Sequence, residues 1–80
     1  MRAKLEVKLS PGLFSEERIA SFEAHGRRYS ISVDQSYIEG RFLLVQIIER
    51  RGNEVWVELP QTPLGSGARL KIPETQIASE

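Results

Sequence analysis

Apolar residues recur at every second position along this chain, and that period decides most of what it can fold into. In "KLEVKL" (4–9), Leu5, Val7 and Leu9 point one way while Lys4, Glu6 and Lys8 point the other. Ala20, Phe22 and Ala24 repeat the pattern, and so do Tyr29, Ile31 and Val33 after "HGRR". "EVWVEL" (54–59) sets Val55, Val57 and Leu59 against Trp56 and Glu58, and "ARLKI" turns Leu70 and Ile72 inward. "RFLLVQIIE" (41–49) is apolar on both faces, and its β-branched residues favour a central strand over a helix.

The breaks between these runs predict the connections. Pro11-Gly12 ends the first strand, and the segment that follows, "FSEERIASF", also has a helical-turn option with Ser15 as its cap. Gly26 suits the first central position of a two-residue turn. That turn pairs His25 with Arg28, Ala24 with Tyr29 and Phe22 with Ile31. A three-residue loop, Arg51-Gly52-Asn53, pairs Ile47 with Val57 and Val45 with Leu59. The shorter loop Arg51-Gly52 would set Glu49 against Glu54, two like charges face to face. "PQTPLGSG" (60–67) is an aperiodic connection, and "PETQ" after the last strand predicts a short 3₁₀ turn that returns Ile77 to the core.

The expected architecture is all-β: a small barrel of about six strands, or a strongly bent antiparallel sheet, with at most one short helical turn. "LEVKL" echoes as "LLVQI", and "ISVDQSYI" (31–38) echoes as "LKIPETQI" (70–77). Apolar alternation produces such echoes by itself, so the pattern alone favours coincidence over a repeat.

Eighty residues make one domain, enough to bury about 60% of the unfolded surface. Eleven basic and eleven acidic residues cancel, so no whole-molecule field points to nucleic acid or a membrane. The absence of cysteine removes disulfides, thiol catalysis and Cys-based zinc sites, and it suits a cytoplasmic protein. No stretch nears the roughly 18 apolar residues of a membrane-spanning helix, and "MRAKLEVKL" has no apolar run of the signal-peptide kind.

From residue 41 onward the order of signals resembles a Src homology 3-like barrel. "RFLLVQIIE" looks like its second strand, "EVWVEL" like the third strand with its tryptophan, and "QTPLGSG" like the distal loop. "LKIPETQIA" is similar to the strand–Pro–3₁₀–strand ending. In that family Trp56 and Pro73 match the groove positions that hold proline-rich peptides, but Gln76 stands where the binders carry tyrosine. "KLEVKL" also lacks their first-strand aromatics. The resemblance implies the fold and no particular ligand.

The lone His25 has no second ligand or nucleophile near it in sequence, and the carboxylates fall at loops and outward strand positions. The glycines have no phosphate-loop spacing. The expectation is therefore no enzyme, no metal and no cofactor. Two surfaces remain. Arg27 and Arg28 cap one hairpin and Arg50 and Arg51 another, and in an up-and-down meander all four share one rim suited to phosphate or carboxylate. Phe42, Leu44, Ile48 and Trp56 fall opposite the main core, either plugged by Leu13 and Phe14 or open to a partner. The leading expectation is a protein-interaction module or small accessory subunit, binding another protein or itself as a homodimer. The alternative is a small RNA-binding barrel with arginine-tipped hairpins.

Overall fold

A computed structural model of the chain describes residues 2–60 and 69–79. Among the described residues there are nine strands and two 3₁₀ turns: β1 (Arg2–Glu6), β2 (Lys8–Pro11), β3 (Glu17–Ala24), β4 (Arg27–Asp34), a first turn (Gln35–Tyr37) and β5 (Ile38–Glu39). Then come β6 (Phe42–Arg51), β7 (Glu54–Glu58), β8 (Arg69–Pro73), a second turn (Glu74–Gln76) and β9 (Ile77–Ser79). The six expected strands are all present. The first is divided in two at Val7, and β5 and β9 are short additions after the 3₁₀ turns. A second 3₁₀ turn, at 35–37, adds to the one expected at "PETQ".

The strands form two antiparallel sheets. One runs β8-β7-β6-β1-β9 with β5 also on β6, and the other runs β2-β3-β4. The described strands do not close into a barrel. The chain passes from one sheet to the other at Val7, which stays buried while its N–H donates to Arg41 O at 3.1 Å. A single core joins the sheets: Ala3, Leu5, Leu43 and Val45 from the β1–β6 seam, Val55, Val57 and Ile72 from one side, Ala20, Ile31 and Val33 from the other. Every one of these is an inward residue of a period-two run.

The echo in the sequence becomes a repeat in the structure. Each half is a long strand, a hairpin strand, a third strand, a 3₁₀ turn and a short return strand. Ile38 returns opposite Leu43, and Ile77 returns opposite Leu5. The N–H of Gln35 donates to Glu16 O, and the matching N–H of Glu74 donates to Asn53 O, both at 2.8 Å. The halves meet where Leu5 faces Leu43, so a pseudo-two-fold passes through that pair.

Two expectations change in detail. The first hairpin turns at His25-Gly26, both with positive φ (53° and 77°), so Ala24 faces Arg27 and Phe22 faces Tyr29. A shift of two residues keeps every side chain on its face, and it brings Phe22 and Tyr29 into a stack with ring centroids 5.3 Å apart. In the second hairpin Ile47 faces Val57 as expected, but the register shifts after it and Arg51 faces Glu54 across a Gly52-Asn53 turn. A bulge around Ile48 thus reconciles an odd register at the core with a two-residue turn at the tip. The stretch after Phe14 makes a non-helical turn, closed by Glu17 N–H to Phe14 O at 3.0 Å, before β3 begins. "QTPLGSG" lies outside the described residues.

Leu43 is fully buried on the seam, so Leu43→Ala should cost about 2–5 kcal/mol in urea unfolding. Phe14, 69% exposed, should lose less than about 0.5 kcal/mol as Phe14→Ala. A large loss at Phe14 would mean that its loop packs on the domain after all.

Candidate functional surface

The outer face of β1, β6 and β7 has two unlike ends. At one, Phe42 is half-buried beneath long cations: Arg41 Cζ lies 5.7 Å and Lys4 Nζ 6.0 Å from its ring centroid. Those cations are themselves held, Lys4 by Glu39 at 2.8 Å and Arg41 by Glu6 at 2.9 Å. Leu44 sits opposite Lys4 and is likewise half-buried. Gln46 and Glu58, register partners, then interrupt the apolar surface. At the far end the bulge leaves Ile48 44% and Trp56 37% exposed, walling a cleft of about 280 Å³ with Glu49 and Arg69. The four apolar positions thus share a face but do not form one patch.

No plug covers it. Leu13 is 93% exposed, and Phe14 beside it is exposed too, so the loop between β2 and β3 presents its own apolar tip. The loop is pinned at its base by Gly12 N–H to Glu17 O at 3.2 Å. A Cβ at Gly12 would meet Glu17 Cβ at 2.8 Å, so no side chain fits there.

The two arginine-tipped hairpins do share one rim. His25 Nε2 meets Glu54 Oε2 at 3.0 Å, joining their tips, and the second 3₁₀ turn locks the junction with Gln76 Nε2 donating to Glu23 O at 2.7 Å. The rim is mixed in charge. Arg28 pairs with Glu23 at 3.2 Å, Arg51 with Glu49 at 2.8 Å and Arg50 with Glu74 at 3.7 Å. Among the described residues only Arg27 of the four arginines shows no ion pair. Glu74 and Gln76 were not legible as rim residues. Their partners lie far away in sequence, and no local pattern marks such a contact.

Among the described residues, two carboxyls are held below their ordinary values. The backbone N–H of Ser36, 2.8 Å from Asp34 Oδ1, holds Asp34 low, helped by the Ser36 hydroxyl. The hydrogen bond and charge of Lys4 hold Glu39 low. Among the described residues no three His, Asp or Glu side chains gather to hold a metal, and no helix is long and apolar enough to cross a membrane.

In comparisons with known proteins, no family model, no curated protein and no solved structure matches this chain.

Trp56 is the sole tryptophan, so its emission should be quenched by acrylamide in the free protein at a large fraction of the unfolded-state rate, and strong protection would place something over it. For Glu39, Lys4→Ala should move the carboxyl titration upward, read by side-chain carbonyl NMR. Its folded pKa is depressed, so whatever the pair adds to stability is present at neutral pH and is lost as pH falls through the acid range.

Proposed function

We propose that this chain is a non-catalytic protein-interaction module or small accessory subunit of the cytoplasm, whose partner is another protein docking on the Ile48–Trp56 end of the β6–β7 face. One observation supports it above the others: an exposed tryptophan and isoleucine flank one cleft, and no segment among the described residues lies over them. A large aromatic ringed by charged side chains such as Arg69 and Glu49 suits the centre of a protein interface, where a few such anchors supply most of the affinity. The exposed tip at Leu13 and Phe14 offers a second apolar contact. The strand–Pro73–3₁₀–strand ending supports a Src homology 3-like relationship at the level of chain order, whereas Gln76 in place of the groove tyrosine argues against a proline-rich ligand.

The test is capture from the native source with wild-type and Trp56→Ala baits of matched fold by circular dichroism. A partner held by the wild type, lost with Trp56→Ala and kept by Arg50→Ala/Arg51→Ala supports the docking face. A partner that Trp56→Ala retains in full sinks it.

A second reading, RNA binding by the rim, draws on the junction of the two hairpins at His25 and Glu54. The glutamates already paired with Arg28, Arg50 and Arg51 weigh against it, because a phosphate must displace them. NMR titration with a mixed-sequence single-stranded RNA decides the point. Amide shifts confined to 25–28 and 50–54, and weakened by salt, move the assignment to RNA; their absence removes it.

A further inference from the structure

The pseudo-two-fold makes β4 and β8 counterparts, and each is the edge of its sheet among the described residues. Their outward positions differ in kind. Ser30, Ser32 and Asp34 of β4 correspond to Arg69, Lys71 and Pro73 of β8. Lysine and proline on an edge are the usual means of preventing another strand from adding there, proline because it has no N–H to offer. One edge is therefore guarded and the other is not. β4 pairs with β3 along all eight of its residues without a register shift, so no bulge turns its outer side away.

The direction of its backbone groups follows from the hairpin. Ala24 and Arg27 flank a two-residue turn and exchange hydrogen bonds, so the alternate residues Arg28, Ser30, Ser32 and Asp34 turn their N–H and C=O groups outward. The contact from Gln35 N–H to Glu16 O fixes the same parity at the other end. The hydroxyls of Ser21 and Ser30 at 3.0 Å agree with the closer side-chain spacing of a pair that does not exchange backbone hydrogen bonds.

We infer that β4 is a self-association edge, pairing antiparallel with β4 of a second copy of this chain so that Ile31 faces Ile31 across a two-fold axis. In that register Arg28 faces Asp34 of the second copy and Ser30 faces Ser32 of the second copy. All four outward-turned residues then find hydrogen-bonding partners, and each end carries an opposite-charge pair. Sliding the strands until Arg28 faces Arg28, or Asp34 faces Asp34, sets like charges together and leaves fewer backbone groups paired. Charge thus selects the register that backbone pairing also favours. Arg28 is available, since its contact to Glu23 is highly exposed, and Asp34 keeps a second oxygen beyond the one accepting from Ser36. The pairing leaves the Ile48–Trp56 face untouched, so it stands or falls apart from the docking proposal.

Sedimentation equilibrium on three proteins tests it. The wild type should pass from monomer to dimer as its concentration rises, with Ser30 and Ser32 amide exchange slowing in step. Arg28→Asp turns both end pairs repulsive and should weaken the dimer about tenfold or more. Ser32→Lys with Asp34→Pro copies the guarded edge onto β4. Asp34 already has φ −67° and ψ 141°, close to −57° and 137° at Pro73, so this variant should fold and stay monomeric. A wild type that remains monomeric up to about 1 mM, well beyond the weakest specific pairings, overturns the inference. So does either folded variant that dimerises as well as the wild type. If the double variant does not fold, Arg28→Asp decides alone, because that side chain lies on the surface away from the core.

Discussion

The pairing of β1 with β6 is the contact on which the rest of the structure depends. Ala3 faces Val45 and Leu5 faces Leu43, and all four are almost wholly removed from water. Each large aliphatic side chain buried this way contributes about 1.5–3 kcal/mol, so the seam is a large share of what a small domain can gather. Its geometry matters as much as its energy. Each seam strand continues past the crossing to carry a hairpin, β2 into β3–β4 and β6 into β7–β8, and each receives the other element's short return strand. The seam lies within one sheet, and its inward residues share a single core with Ala20, Ile31 and Val33 of the other.

Two-fold likeness in the backbone does not extend to the surface. The halves share their core pattern, their 3₁₀ turns and the hydrogen bonds that anchor them, yet they differ wherever a side chain meets solvent. Asp34 caps one turn through its carboxylate, while Pro73 starts the other with no side-chain bond at all. The bulge near Ile48 belongs to the second half alone and opens the cleft beside Trp56. The two halves therefore present different surfaces to solvent on one shared framework.

The many ion pairs on this surface organise more than they stabilise. Exposed pairs such as Arg51–Glu49 and Arg28–Glu23 are worth little individually in water. Their effect is to neutralise a rim that the bare sequence makes look basic. Four arginines converge where the tips of hairpins from two different sheets meet, rather than along one meander, but Glu23, Glu49, Glu54 and Glu74 converge with them. A partner reading that rim meets a mixed surface rather than a positive one.

How much was legible varied with the distance over which each feature is decided. The inward residues were readable throughout, because alternation is a local property and burying one face fixes which half of it points in. The pairing of Ile47 with Val57 was readable for the same reason. The two-residue slip at His25-Gly26 was not, because a shift by two preserves every face, and only the Phe22–Tyr29 stack and the turn's left-handed conformation discriminate between the registers. Leu13 and Phe14 looked like a plug because apolar residues are usually buried, yet their loop ends before it reaches any core. The sequence by itself determined an all-β chain, its strands and their buried faces. Only the tertiary structure decided that the halves repeat about Leu5 and Leu43, that the tips meet through His25 and Glu54, and that β4 and β8 are sheet edges among the described strands. Those depend on packing between segments tens of residues apart, which no local period encodes.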